Sequence, residues 1–254
     1  MVLVAACLFV LAALGYLFRR EAGVLLGAAG AAVLVGALAA RGVRAECWPL
    51  ANQYEFALAF ALGTSLATLL LVVAQRDRLD AVRAAGMIFS AVSIAYGRLG
   101  LPSFRRAIEP LSPAFDVVWF PLHVGSAGLA YGALAVAGVA GATWLVWRPA
   151  RADAERMIER AVAAGYPLLT LSMLLGMVWA QQAWGRYWGW DLKETWTLIT
   201  WLLYTLYWHL RKQANWQGGR LAGVAVIGLA AVLFTFLGVG WLARRVGLES
   251  LHLF

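Results

Sequence analysis

The feature that most constrains this chain is a succession of long apolar blocks separated by short polar connectors. Eight spans can be drawn: Val2–Phe18, Ala22–Ala40, Tyr54–Ala74, Ala84–Gly97, Pro121–Trp147, Gly165–Ala183, Trp196–Leu210 and Leu221–Trp241. A hydrocarbon core of about 30 Å takes roughly 20 helical residues, and most of these blocks approach that length. They are continuously apolar rather than alternating, so helices satisfy the backbone in lipid where a barrel pattern would need a period of two. The 63% hydrophobic and 13% charged residues, with a mean hydropathy of +0.74, lie outside the soluble globular range. The sequence therefore predicts an all-α, polytopic membrane bundle of about eight transmembrane helices, formed as a single membrane domain over residues 1–254. The fourth span is short and carries Ser90 and Ser93, so a surface or re-entrant helix is its alternative.

A formal net charge of +8 raises the question of nucleic acid. The basic residues sit between apolar blocks, where they anchor helix ends at headgroups, and no basic face or nucleic-acid motif accompanies them. The expected surroundings are the lipid bilayer and no nucleic acid. Placing both termini outside puts twelve Lys and Arg in the inner loops and nine in the outer segments, the bias of the positive-inside rule. The run from Arg148 to Arg160 is the strongest contributor and reads as a basic, amphipathic cytoplasmic surface helix. This topology sends His123, the stretch Trp184–Trp196 and His252 to one side. His209, thirteen residues beyond Trp196, falls about 20 Å deeper.

The two cysteines, Cys7 and Cys47, form no C-x-x-C, which excludes a dithiol centre or zinc ribbon. No C-x-x-C-H is present either, so the chain does not itself carry covalent c-type haem. Val4-Ala5-Ala6-Cys7 faintly resembles a lipoprotein cleavage site, but only six residues precede the cysteine and none is basic. The first block reads as a retained helix, and the thiols as structural. Gly125, Gly128, Gly132 and Gly138 read as packing residues that let helices approach closely.

The least generic stretch is W-G-R-Y-W-G-W-D-L-K-E-T-W, Trp184 to Trp196. Amphipathic indoles gather at membrane interfaces, and such a belt accounts well for Trp119, Trp144, Trp147 and Trp241. It accounts less well for Trp184, Trp188 and Trp190, which alternate with Gly185 and Gly189 in a short polar loop. Aromatic faces spaced by glycines suit a flat, polarizable ligand, and Asp191, Lys193 and Glu194 add groups that can orient it. On the residues alone, platform and belt stand as equal alternatives. The three histidines, His123, His209 and His252, tilt the balance, since neutral imidazole is a common axial ligand of haem iron. Zinc is disfavoured because no third nitrogen or sulfur ligand lies nearby.

At these residues the chain resembles the CcsA/ResC family of system II cytochrome c biogenesis, haem-handling membrane proteins that share a tryptophan-rich W-G-x-x-W-x-W-D (WWD) signature. Trp184-Gly185-Arg186-Tyr187-Trp188-Gly189-Trp190-Asp191 carries the match, which continues through Lys193-Glu194-Thr195-Trp196 and Ile199-Thr200-Trp201. Asn52-Gln53-Tyr54-Glu55, His123-Val124 with Tyr131, and Tyr207-Trp208-His209-Leu210-Arg211 extend it in order over roughly residues 50–254. Leu192 stands where the family usually has proline, which removes a φ constraint but no ligand.

The resemblance implies that haem b is transported as a non-covalent substrate. It implies His123 and His252 as external iron ligands, His209 as a ligand of a deeper site, and a porphyrin platform of Trp184, Gly185, Tyr187, Trp188, Trp190 and Asp191 with Trp196 and Trp201. No catalytic acid or base is assigned. The implied partners are a CcsB/ResB-type membrane protein and apocytochrome c. The implied setting is a bacterial inner (plasma) membrane rather than a thylakoid, with the Trp loop on the periplasmic side. The expected function is that of the haem-handling subunit of a system II cytochrome c synthase, part of a haem lyase complex. It would move haem b across the membrane and present it for covalent attachment. The alternative is a haem exporter or relay that passes haem without attaching it. A b-type electron carrier is weakened because only His209 lies deep in a span, and an unrelated transporter predicts no haem spectrum.

Overall fold

The computed structural model describes residues 1–73, 79–147 and 151–247, apart from the side chains of residues 71–73 and 151. Every regular element among the described residues is helical. The helices are α1 (Val2–Phe18), α2 (Arg20–Ala45), α3 (Gln53–Val73), α4 (Asp80–Ala95), α5 (Trp119–Val146), α6 (Arg151–Trp184), α7 (Leu192–Lys212), α8 (Gly219–Leu233) and α9 (Val239–Val246). A π-helical turn, Tyr96–Gly100, continues α4, and a second, Phe234–Gly238, joins α8 to α9. The chain is a multi-pass membrane protein: among the described residues eight consecutive helical units pack as a polytopic bundle, α8 and α9 making the last together. By length and composition α2, α5, α6 and the α8–α9 unit are each long and apolar enough to cross a membrane, and α1 is a shorter apolar helix.

Helix α5 is the axis of the bundle, and it pairs with α6 most extensively and also with α3 and α8. Its composition explains the position, because small residues let neighbouring backbones come close. A Cβ on Gly132 would lie 2.2 Å from the Gly63 carbonyl carbon, and one on Gly63 would lie 2.4 Å from the Gly128 oxygen. Gly138 has the same role against Leu229 of α8, at 2.3 Å. Gly125 does not, since a Cβ there meets only Leu50 at 3.7 Å. A second cluster, around Phe9, Leu34, Leu58 and Met87, joins α1 and α2 to α3 and α4.

The structure moves several expected boundaries. The fourth pass runs Asp80–Ala95 with its π turn, inside the bundle against α1 and α3. Its serines disturb nothing, because Ser90 and Ser93 donate to the carbonyls of Gly86 and Phe89 one turn back. The expected surface helix at Arg148–Arg160 is a correction. From Arg151 onward this segment is the first part of α6, continuous through Gly165 and Pro167 to Trp184. Its apolar face, Ala154, Met157, Ile158, Ala161 and Val162, is buried in the main core, and that burial outweighs the helix-weakening residues that follow.

Helix ends gather into two groups. At one end Arg41 pairs with Glu55 and donates to the carbonyl oxygens of Arg106 and Ala107, while Arg105 donates to Gln53. At the other, Arg211 pairs with Glu159 at 3.0 Å and the Gly218 N–H donates to Glu155. The Trp184–Trp196 loop and the start of α5 belong to the first end, and His209 to the second.

Candidate functional site

The Trp-rich connector between α6 and α7 is held by its own carboxylates. Asp191 caps α7: its Oδ1 accepts from the Glu194 N–H at 2.7 Å, while Glu194 Oε2 accepts from the N–H groups of Gly189 at 2.7 Å and Asp191 at 3.3 Å. This reciprocal capping box ties the loop to the first turn of the helix. The turn also needs left-handed backbone at Gly185 (φ +73°) and at Trp190 (φ +58°). Glycine adopts that conformation without penalty; a tryptophan does so only where its surroundings hold it there.

His123 sits in the second turn of α5, two residues after Pro121, which occupies a first-turn position where no helical N–H is missed. Its Nδ1 lies 2.8 Å from the Ser172 carbonyl oxygen and 3.2 Å from the Ser172 hydroxyl, and that hydroxyl donates to the His123 carbonyl at 3.0 Å. A carbonyl only accepts, so Nδ1 carries a proton in this contact. The ring stacks on Trp179 (centroids 5.8 Å apart, 17° between planes), and Trp179 is fully buried with its Nε1 donating to the Ala114 carbonyl at 2.7 Å. Gly176 makes room for the imidazole: a Cβ there would lie 2.8 Å from His123 Cε1 and Nδ1.

A cavity opens between α5, α6, α7 and the Trp loop. His123, Ser172, Gly176, Trp179, Tyr187, Trp188, Lys193, Glu194, Thr197 and Phe236 are among its walls. Its water-sized interior is narrow, about 90 Å³, within an envelope of about 890 Å³ that includes the open mouth. Trp188 Nε1 is buried there without a hydrogen-bond partner. Leaving such a donor unmet in a closed protein is costly, so the indole N–H is suited to an acceptor that arrives with a ligand. Among the described residues no group of three or more His, Cys, Asp or Glu side chains is placed to hold a bare metal ion.

The structure brings together only part of the expected site. Tyr187, Trp188 and His123 line one cavity. Trp184 reaches it indirectly, edge-on to Trp179 at 4.6 Å, and Trp190 meets Trp188 edge-on at 5.7 Å while 70% exposed. Asp191 and Gly185 shape the loop. Trp196 packs on Phe234 at 4.2 Å, and Trp201 stacks on Tyr166 with its Nε1 donating to Thr170, so both serve the bundle interior. His209 is exposed near the far end of α7, and His252 lies outside the described residues. Sequence reasoning missed Ser172, Gly176 and Trp179, although their i, i+4, i+7 spacing marks one face of α6. Trp144 also departs from the belt reading, because its ring lies over Gly218 and Gly219, where a Cβ would meet it at 3.0 and 2.6 Å. Cys7 and Cys47 are both free, and desolvation raises the Cys47 thiol above its usual value.

Comparison with known proteins follows the same residues. The model of the family described as cytochrome C assembly protein matches residues 50–246. A cytochrome c biogenesis protein CcsA from Synechococcus elongatus is 30% identical over 288 aligned residues, covering 89% of this chain and 86% of that protein. The Chlamydomonas reinhardtii protein of the same name is 31% identical, covering 87% and 66%, and that of Guillardia theta 28% identical, covering 93% and 89%. The matched segment contains His123, the Trp-rich connector and His209, and this chain belongs to the cytochrome c assembly protein family.

Proposed function

We propose that this protein serves cytochrome c biogenesis by binding haem b as a transient substrate at the Trp-loop end of the bundle and presenting it to apocytochrome c. The observation that carries the reading is the preset imidazole of His123. With Nδ1–H tied to Ser172 and the ring stacked on Trp179, Nε2 is the nitrogen through which this ring would ligate iron, the arrangement that a hydrogen bond at the other ring nitrogen enforces at imidazole ligands. Trp188 supplies the adjacent aromatic face and an unmet N–H. The narrow interior means that the macrocycle lies in the wider, open part of the cavity, with an edge reachable from outside.

In this reading His252 is the second external ligand, and His209 takes part in a deeper site near the opposite face, completed by a CcsB/ResB-type partner. The Trp loop faces the periplasm across a bacterial inner membrane. Haem supplies the vinyl groups that receive the cytochrome thiols; the protein's residues hold the ring, orient it and ligate its iron.

The test is a visible absorption spectrum of the detergent-purified protein and its His123→Ala variant, followed by incubation with a reduced C-x-x-C-H apocytochrome and the partner. Six-coordinate haem that becomes perturbed in the variant, and covalent label on the apocytochrome, is the expected result. Haem binding without any label in the complete system leaves a relay that passes haem on. Haem-free wild-type protein that also fails to take up added haem overturns the proposal.

A further inference from the structure

The Asn52-Gln53-Tyr54-Glu55 stretch at the start of α3 helps to build a second site, separate from the His123 cavity. Glu55 pairs with Arg41 of α2 and accepts from the Ala51 N–H at 2.6 Å, while Arg41 donates to the carbonyl oxygens of Arg106 and Ala107 at 2.9 and 3.1 Å. Asn52 Nδ2 also donates to the Ala107 carbonyl, at 3.4 Å. These bonds fasten the short helical turn Ser103–Arg106 to the neighbouring ends of α2 and α3. An open-mouthed chamber of about 310 Å³ lies there, walled by Arg41, Tyr54, Arg98, Ser103, Arg106 and Ala107. Three of these residues are arginines and none is a carboxylate. Glu55 meets the charge of Arg41. Neither Arg98 nor Arg106 forms an ion pair with a carboxylate among the described residues. Arg106 Nη1 donates to the Arg98 carbonyl, but its Nε is buried and meets no acceptor. A buried donor left unmet is costly, and two like charges lining one chamber add repulsion. An oxyanion relieves both.

We infer that this chamber is a phosphate site for an anionic phospholipid, whose headgroup is held by Arg98 and Arg106 at the Trp-loop end of the bundle. The inference is independent of the haem reading. A guanidinium presents a planar fork of donors that matches two phosphate oxygens, and such charge-assisted bonds are stronger than neutral ones. Tyr54 and Ser103, also in the walls, carry hydroxyls that can add neutral donors. The surroundings point to a lipid as the source of the phosphate. Val43, two residues beyond Arg41, is 79% exposed, Leu99, next to Arg98, 75%, and Phe104, in the Ser103–Arg106 turn, 66%. Exposed apolar side chains beside a cationic chamber suit an amphiphile, whose phosphate enters while its acyl chains lie along the bundle; a free inorganic ion would leave them in water. The chamber also lies at helix ends, where headgroups meet a membrane protein and basic pockets recognise them. A choline or ethanolamine cation beside the phosphate would oppose the arginines, so a headgroup with net negative charge is preferred. The bound phosphate joins the π turn Tyr96–Gly100 to the Ser103–Arg106 turn and so secures the connector that leads into α5.

The experiment titrates delipidated, detergent-purified protein with dioleoyl-phosphatidylglycerol, dioleoyl-phosphatidylcholine and dioleoylglycerol, which share their acyl chains, and with inorganic phosphate alone. Bound lipid is counted by native mass spectrometry. Wild type is expected to bind one phosphatidylglycerol at least about tenfold more tightly than dioleoylglycerol, the scale of one or two charge-assisted hydrogen bonds, with phosphatidylcholine between them. Arg98→Gln/Arg106→Gln is expected to lose that preference. Arg44→Gln/Arg245→Gln, which removes two exposed arginines outside the chamber, should keep it. Arg98→Gln alone, at an exposed side chain, should lose part of the preference and carries the test where the double variant does not fold. High salt should narrow the preference in wild type. Equal affinity of wild type for phosphatidylglycerol and dioleoylglycerol, or equal losses in the chamber and control double variants, overturns the site. Inorganic phosphate that binds as tightly as phosphatidylglycerol and displaces it overturns the lipid as its source. Lipid that is held by the protein alone but absent when the protein is purified with its membrane partner also overturns the assignment, by giving the chamber a protein occupant.

Discussion

The carbonyl oxygen of Ser172 lies 2.8 Å from Nδ1 of His123, and this pairing fixes the imidazole's tautomer through the backbone of the facing helix. No side-chain substitution at residue 172 can remove that oxygen, so the orientation is a property of how α5 and α6 dock. The docking in turn depends on small residues along the contact. Gly165 and Gly176 of α6 stand against Leu134 and His123 of α5, with a Cβ meeting them at 2.7 and 2.8 Å. Helix packing and the placement of the imidazole are thus one feature of the fold.

Gly176→Ala separates them. Alanine is favoured over glycine inside a helix by about 1 kcal/mol, so secondary structure gains, but the new Cβ would fall 2.8 Å from the imidazole and must displace it. The expected outcome is an unfolding midpoint within a few degrees of wild type together with a shifted Soret band and weaker haem retention. A wild-type spectrum in a well-folded Gly176→Ala protein would show that the imidazole's position does not matter to the bound ligand.

Substitutions at the three proposed haem ligands should differ, because His123 and His209 lie at opposite ends of the bundle. His209→Ala is expected to purify with little haem, since it removes the ligand proposed for the deeper site near the opposite face. His123→Ala and His252→Ala should keep some haem with a perturbed spectrum, and added imidazole should restore part of it by entering from the open mouth of the cavity. The readouts are haem content per protein and the reduced absorption bands. Indistinguishable content and spectra across all three variants and wild type would remove the ligand assignment.

Sidedness can be tested on residues the structure places at opposite ends. In a Cys7→Ser/Cys47→Ser background, single cysteines at Glu46 and Arg186 should react with an impermeant maleimide added from outside intact cells, whereas one at Gln213 should react only after lysis. Glu46 and Gln213 are both exposed. Reaction of Arg186 and Gln213 positions from the same side contradicts the eight-pass topology.

How much was legible in the sequence depended on whether a residue acts through its own pattern or through its neighbours. The Trp184–Trp196 stretch stood out because indoles alternate with glycines in a short polar loop, although the residues alone left platform and belt open, and His123 stood out because histidine is scarce. The role of Glu194 in tying down Gly189 and Asp191 is a capping box, visible in the D-x-x-E spacing once the start of α7 is known. Ser172 was not legible, since its carbonyl is a backbone group that every residue has. The Arg148–Arg160 segment was misread because charge was weighed over the buried stripe from Ala154 to Val162, which continues α6 without a break. Trp144 was assigned to the belt because nothing local in the sequence announces that Gly218 and Gly219, more than seventy residues on, pack beneath its ring.

The tryptophans of the loop should rank by what each ring touches, and this ranking decides whether the loop binds a ligand or only anchors the protein. An anchor draws its favourable energy from amphipathic rings at headgroup level, so exchanging one for another aromatic or for leucine changes little. A binding surface depends on the position and area of individual rings, and losing one well-placed contact costs on the order of 1 kcal/mol beyond area alone. Trp188 lines the His123 cavity with its Nε1 buried and unmet, whereas Trp190 is 70% exposed and leans edge-on against it. Trp188→Ala is therefore expected to lower holocytochrome c production most strongly, Trp190→Ala less, and Trp188→Phe to fall between Trp188→Ala and wild type because it keeps a ring but loses the N–H. Misplacing the haem edge by about 1 Å can reduce attachment rate more than affinity, since orientation dominates such reactions. Production should thus drop further than haem content in each variant. Trp147 and Trp241, 48% and 54% exposed, are the controls and should be nearly silent; Trp144 is unsuitable because of its packing on Gly218 and Gly219. The measurement is haem staining of a co-expressed c-type cytochrome, normalised to the amount of this protein in the membrane. If Trp188→Ala matched Trp147→Ala at equal protein level, the loop would be an anchor and the haem-presentation reading would be lost with it.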